Sequence, residues 1–124
     1  MPLIFACIAP HAGDLIPETI ADQNIVAPTR KSMYAMGSTL ESLKPETVVI
    51  INPHGFRVQG VLSVSVAERA TAYWASDVKL DFEMDPTIAN AIADKATEMN
   101  VPVVKYIYGA SSGPECFVPL DWGA

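Results

Sequence analysis

The sequence is poor in positive charge. Eight of its 124 residues are Lys or Arg, against 14 Asp or Glu, which gives a formal net charge of −6. The basic residues are spread along the chain, so the sequence lacks the basic patch with which proteins release counterions from a nucleic-acid backbone. We therefore expect no nucleic-acid partner.

Cysteines are few, and the apolar runs are too short to span a bilayer. Cys7 and Cys116 have neither metal-binding nor redox spacing, and we expect both to be reduced thiols in a cytoplasmic protein. Because Cys7 has apolar neighbours, we expect it to be buried in the core. The apolar amino terminus has no basic flank or small-residue cleavage site and is too short to span a bilayer, so we expect no membrane partner.

What the sequence does have is the composition of a packed globular protein. Half of its residues are hydrophobic and 18% are charged. A chain of this length forms a single domain, and folding could bury roughly two-thirds of its unfolded surface. We therefore treat residues 1–124 as one domain.

The pattern of apolar residues predicts alternating strands and helices. Residues 3–9 and 47–52 are continuous apolar runs, typical of strands buried on both faces. A helix is expected from a cap at Thr29 to Leu43, and a second one from Asp85-Pro86. Further strands are expected in three segments, of which the second is expected at a sheet edge: "GVLSVSVAE", "DVKLDFEM" and "VPVVKYIY". This order predicts an α/β sandwich with a mainly parallel sheet.

The carboxyl terminus, "GASSGPECFVPLDWGA", begins like a loop that leads to a new element. No closing strand or helix cap is recognisable in it. We therefore expect the chain to be the amino-terminal part of a longer domain.

The only two histidines, His11 and His54, occupy matching positions. Each follows an apolar run and a proline. A glycine, which lets the backbone turn sharply, comes directly after His54 (Gly55) and two residues after His11 (Gly13). Ligands bind beyond the carboxyl ends of the strands in an open parallel sheet, so we expect the two imidazoles to lie side by side there. Neutral imidazole binds zinc and iron, and two imidazoles with one carboxylate form the facial ligand set of non-haem Fe(II) oxygenases.

Two histidines alone do not complete a metal site, because such sites use at least three protein ligands. The carboxylates near the predicted loops are each more typical of a helix cap or a solvated charge than of a ligand; they are Asp14, Glu18, Glu115 and Asp121. The alternative for each histidine is an ordinary loop residue that is hydrogen-bonded to the backbone.

Several segments together resemble the catalytic B subunit of class III extradiol ring-cleavage dioxygenases, in the LigB-type superfamily that also includes the Memo-like proteins. They cover nearly the whole chain in the expected order: "PLIFACIAPHAGDLIPE", "TRKSMYAMGSTLESLKPETVVIINPHG", "DFEMDPTIANAIADKA" and "VPLDWGA". The resemblance implies a three-layer α/β sandwich, with a mononuclear Fe(II) that binds a catechol through both hydroxyls. Dioxygen then binds beside it and the ring opens next to the diol.

Carried over by position, His11 and His54 correspond to the two metal-binding histidines of the family. The family's third ligand is a glutamate from a later segment that this chain does not contain. Many relatives have a catalytic histidine in "LDHG", where this chain has Trp122 in "LDWG". Tryptophan can stack on an aromatic substrate but cannot transfer a proton, so the catalytic residues stay unknown.

The sequence therefore predicts an Fe(II)-dependent extradiol dioxygenase whose partners are a small aromatic diol, O2 and a second copy or another subunit. The alternative is a Memo-like protein that binds a metal or ligand without catalysis. A third reading is metal-assisted hydrolysis at a zinc site.

Overall fold

The computed structural model describes residues 2–15, 23–74, 78–113 and 116–120. Its backbone divides into two compact units, Met1–Ile51 and Asn52–Trp122. Helices and strands are both present, and the strands pair in both parallel and antiparallel fashion. The predicted α/β class is therefore confirmed at this level.

The first unit contains a short 3-10 helix, Gly13–Leu15, and a long helix α1, Gln23–Leu43. Arg30 connects them, because its Nε donates to the Leu15 carbonyl at 2.9 Å and its Nη2 donates to the Asp14 carbonyl at 2.8 Å. The apolar residues of α1 recur at spacings of three and four, which predicts one buried stripe. On that stripe Met33, Met36 and Leu40 are half-buried, whereas Gly37 and Leu43 are exposed.

Helix α1 begins earlier than the sequence predicts. The prediction placed a cap at Thr29, but the helix begins at Gln23 and contains Pro28. A proline within a helix removes one backbone donor and clashes with the preceding turn. The predicted cap at Thr29 directly follows this proline, yet the helix begins before Pro28 and continues through it.

The two apolar runs predicted as buried strands, residues 3–9 and 47–52, do not form strands, and this part of the prediction is wrong. Their side chains are largely exposed, with Ile8 at 99% and Ile51 at 89% of full accessibility. Cys7 is also exposed, contrary to its expected place in the core. An apolar composition favours burial, but a strand forms only where a neighbouring strand accepts its backbone hydrogen bonds.

In the part of the second unit that the structure describes, there are six strands and one helix. Strands β1 (Leu62–Ser65) and β4 (Val103–Tyr106) pair in parallel, and helix α2 (Pro86–Glu98) contacts both. A four-stranded sheet has the order β3-β2-β6-β5. Its strands are β2 (Arg69–Trp74), β3 (Val78–Glu83), β5 (Tyr108–Gly109) and β6 (Cys116–Pro119).

The pairing in these sheets is mixed rather than mainly parallel. β2 is antiparallel to β3 and parallel to β6, while β5 is antiparallel to β6. β3 lies at a sheet edge, as the sequence predicts. β2 and β6 form strands that the sequence did not predict. Their buried residues are small or few, so they produce little apolar alternation.

The sequence signals for α2 are confirmed in detail. The Asp85 carboxylate accepts a hydrogen bond from the Ile88 N–H at 2.9 Å, and Pro86 takes the first turn. The chain leaves the helix at Asn100, whose φ of 60° lies in the left-handed region. From β4, the Lys105 ammonium donates to Asn90 at 2.9 Å and to Asp94 at 2.7 Å, which ties the helix to the strand.

A small core lies within the second unit. It consists of buried residues from β2, β6 and the segment before β2, with further side chains packed against them. The buried members are Ala67, Ala70, Cys116 and Val118, and the packed ones are Met84, Tyr106, Ile107 and Leu120. The burial of Cys116 agrees with the usual behaviour of a free thiol as a small hydrophobe.

Candidate functional site

The loop that carries His54 has a specific local conformation. The backbone N–H of His54 donates to the side-chain oxygen of Asn52 at 2.8 Å, the hydrogen bond that defines an Asx turn. Gly55 then adopts a φ of +86°, in the region that favours glycine. The predicted sharp turn after His54 is thus confirmed at Gly55, and the His54 residue is half-buried.

Tyr106, at the end of β4, contacts the same loop. The backbone of Phe56 forms a hydrogen bond with the Tyr106 phenol, and the two rings lie 5.0 Å apart between centroids at an angle of 36°. A Cβ placed on Gly55 would lie 3.6 Å from the Tyr106 hydroxyl oxygen, an ordinary van der Waals distance. The residues on both sides of Gly55 are therefore held, on one side by Asn52 and on the other by Tyr106.

Two further aromatic contacts extend from this point into the sheet. Tyr106 meets Tyr108 edge to face, with centroids 6.1 Å apart and planes at 89°. Tyr108 in turn stacks with Phe117 at 6.5 Å. Edge-to-face and offset arrangements at these distances are favourable for aromatic pairs. The His54 loop thus adjoins an aromatic cluster, defined as Phe56, Tyr106, Tyr108 and Phe117.

Burial raises the pKa of Tyr106 above its ordinary value, and the neighbouring Tyr108 raises it further. The hydrogen bond from the Phe56 backbone lowers this pKa in part. The balance keeps the phenol protonated at neutral pH. Tyr106 therefore retains a proton to donate while its oxygen accepts from Phe56.

His11 lies in the other unit and has different surroundings. It is exposed and precedes the 3-10 helix, in which the Leu15 N–H donates to the Ala12 carbonyl at 2.9 Å. Gly13 is the first residue of that helix and does not have a positive φ. Gly13 thus begins a 3-10 helical turn and does not adopt the left-handed conformation that Gly55 has.

The donor chemistry of His11 and His54 fits iron or zinc, because both side chains are imidazoles. Within the described residues, no three side chains of His, Cys, Asp or Glu come together as a metal-binding group. Asp14 is exposed, and only its backbone oxygen is bound, by Arg30. The remaining candidates for ligands or substrate contacts fall outside the described residues: Glu18, Glu115, Asp121 and Trp122.

A second feature, which the sequence did not indicate, is an open cleft of about 770 Å³ in the second unit. It is lined mainly by charged side chains: Glu68, Arg69, Asp81, Glu83, Met84 and Gly113. Arg69 forms a two-pronged ion pair with Asp81, and Glu68 accepts from the Gly113 N–H at 3.0 Å. Most charged groups of the cleft thus form hydrogen bonds or ion pairs that connect β2 with β3 and with the loop before β6.

Sequence reasoning found His54 and Gly55 but missed Asn52 and Tyr106. An asparagine two residues before the histidine, in Asn-Pro-His, is a local signal for an Asx turn, and it was available in "INPHG". Tyr106 carries no such signal, because it lies far from the loop in the sequence and contacts it only in the folded chain. Of the helices in the described part of the chain, none has both the length and the apolar content needed to cross a bilayer. Neither a scan against protein-family models nor a search of curated proteins finds a match for this chain.

Proposed function

We propose that this chain belongs to an extradiol ring-cleavage dioxygenase that opens a catechol-type ring with O2. The observation that carries the proposal is the held conformation of the His54 loop. Asn52 fixes the backbone before the imidazole, Gly55 turns it sharply, and Tyr106 holds the next residue. A loop fixed in this way orients an imidazole toward a ligand at a lower entropy cost than a mobile loop does.

In this proposal His11 and His54 hold an Fe(II) ion, with zinc as the alternative metal, and a later glutamate or a partner subunit supplies the third ligand. Bound iron would lower the pKa of the catechol hydroxyls and supply the electron transfer that side chains lack. Trp122 would stack on the substrate ring. Both oxygen atoms enter the product as the ring bond beside the diol breaks. The complete domain would be a three-layer sandwich with a mainly parallel sheet.

The apolar segments that are exposed in the first unit support the proposal that further structure belongs with this chain. Residues 3–8 and 48–51 include large side chains that a folded domain usually covers, among them Leu3 and Ile51. We propose that a second copy of the protein or a partner subunit covers them, and that the protein is cytoplasmic.

Oxygen consumption is the direct test. The protein, together with the segment or partner subunit that supplies the third ligand, is purified without oxygen and loaded with Fe(II). It is then mixed with catechol while dissolved O2 and ultraviolet absorption are recorded. We expect one O2 consumed per ring opened and tightly bound iron in a one-to-one ratio. The matched control is the same protein with His54→Ala, which should lose both iron and oxygen uptake while it keeps its circular dichroism spectrum.

The second candidate is a Memo-like protein that binds a metal or ligand without catalysis. The observation that favours it is Trp122, which stands where many dioxygenases of the resembled family have a proton-transferring histidine. Zinc or no metal, together with no oxygen uptake, would support this candidate against the dioxygenase. Activity without oxygen uptake would instead indicate metal-assisted hydrolysis.

A further inference from the structure

Tyr106 contacts the His54 loop, and its own position is fixed by the sheet and by the core. It is the last residue of β4, where its backbone pairs with Ser65 of β1. Its side chain is half-buried and packs against the core of Ala67, Ala70, Cys116 and Val118. A side chain anchored in a sheet and a core provides a rigid support for a loop.

Two contacts transmit that rigidity to the loop. The phenolic oxygen is hydrogen-bonded to the backbone of Phe56. It also lies 3.6 Å from the position that a Cβ on Gly55 would occupy, an ordinary van der Waals distance. The Phe56 ring packs on the Tyr106 ring at 5.0 Å. Residues 55 and 56 directly follow His54, so their position fixes the direction in which the chain leaves the imidazole.

Asn52 provides the complementary restraint on the other side of His54. Its side chain accepts from the His54 N–H, so the backbone is held both before and after the imidazole. Neither Asn52 nor Tyr106 is a metal ligand in the proposed function. Both have the character of the outer groups that orient a ligand histidine, whose loss typically weakens metal binding by about 10- to 100-fold.

We propose that Tyr106 is a positioning residue for His54, and that its hydroxyl group fixes the loop of residues 53–56 in the orientation that presents the imidazole to a metal. This inference rests on the proposed function for its metal-binding consequence only. The restraint on the loop itself is a property of the folded chain and is tested separately.

Two variants separate the hydroxyl from the ring. Tyr106→Phe removes only the oxygen that holds Phe56 and leaves the aromatic contacts in place. Tyr108→Phe is the matched control: it removes a phenolic oxygen from the adjacent ring of the same cluster, at a residue that is exposed. Both variants keep their packing area, so both should fold.

The first measurement is backbone amide hydrogen exchange. Tyr106→Phe should accelerate exchange at residues 54–56 by about fivefold or more, the factor expected for one lost hydrogen bond. Exchange in α2 should not change, and Tyr108→Phe should leave residues 54–56 unaltered. Equal exchange at residues 54–56 in the two variants overturns the inference, whether or not the protein binds a metal.

The second measurement is titration with Co²⁺ alone, followed by its visible absorption spectrum. We expect Tyr106→Phe to weaken Co²⁺ binding by about 10-fold or more and to alter the spectrum, and Tyr108→Phe to match the unmodified protein. Unchanged affinity and spectrum in Tyr106→Phe overturn the positioning role at the metal. Failure of the unmodified protein to bind Co²⁺ contradicts the proposed function, and amide exchange then decides the role of Tyr106 in the loop.

Discussion

The surroundings of His11 and His54 show how one short motif can have two structures. Both histidines follow a proline and precede a glycine. At His54 the glycine turns with a φ of +86° and the loop packs on a strand, whereas at His11 the glycine begins a 3-10 helix that a helical arginine holds. The difference comes from what lies next to each loop, Tyr106 in one case and Arg30 in the other.

The comparison also bears on the metal proposal. The proposal requires an imidazole to be presented to a cation, and the backbone of His54 is held by the Asn52 side chain at 2.8 Å. A backbone that is already held loses less conformational freedom when its side chain binds a metal. We therefore expect the His54 loop to be preorganised for metal binding.

The largest effect should come from removing each imidazole in turn. His54→Ala and His11→Ala should each weaken Co²⁺ or Zn²⁺ binding by more than about 100-fold, beyond the range seen for loss of an outer group. Calorimetric titration measures this, with circular dichroism as the check on folding. If His11→Ala binds the metal as tightly as the unmodified protein does, the two histidines do not share an ion. The metal site then includes His54 and not His11.

How much of this the sequence predicts depends on whether the signal is local. The start of α2 is correctly predicted because Asp85 and Pro86 lie within one turn of the groups that they serve. The turn at Gly55 is predicted for the same reason. Residues 3–9 and 47–52 are wrongly predicted as strands because pairing is decided by distant partners, which composition does not reveal.

The strands that the sequence did not predict, β2 and β6, lack a strong local signal. Among the described side chains of β2 the buried ones are Ala70 and Ala72, and β6 is four residues long and begins at Cys116. Small buried side chains of this kind give only a weak apolar signal for a strand. The candidate site divides in the same way. Asn52, His54 and Gly55 lie within four consecutive residues, while Tyr106 lies far along the chain and meets the loop only in the folded protein.

The next largest effect should separate the two glycines. Gly55→Ala places a side chain at a positive φ and should destabilise the fold by roughly 1–2 kcal/mol. The Cβ would meet Tyr106 only at an ordinary distance, so the cost is backbone strain rather than a clash. Denaturant unfolding, monitored by circular dichroism, measures the change.

Gly13→Ala is the matched control in the first unit. Nothing lies within 4 Å of a Cβ at Gly13, and its φ is not positive. We expect no loss of stability there, and a gain of up to about 1 kcal/mol from the reduced freedom of the unfolded chain. Equal destabilisation by the two variants would show that the two glycines have the same role after all.

The smallest effect should come from the Asx turn. Asn52→Ala removes the acceptor of the His54 N–H and should cost about 1 kcal/mol of stability, the net value of one such hydrogen bond. Asn52→Asp keeps an acceptor oxygen at the same position and should restore most of that stability. The two variants are compared by denaturant unfolding and by amide exchange at His54.

These Asn52 variants bear on the comparison of the two histidine loops, because the hydrogen bond restrains the backbone N–H of His54 itself. If Asn52→Ala accelerates exchange at His54 while Asn52→Asp does not, the loop is held by the side-chain oxygen itself. If both variants leave exchange at His54 unchanged, Asn52 does not hold the loop, and the restraint on His54 comes from Gly55 and Tyr106 alone. The preorganisation of His54 would then depend on a tertiary contact, which is the kind of information that its neighbouring residues in sequence do not carry.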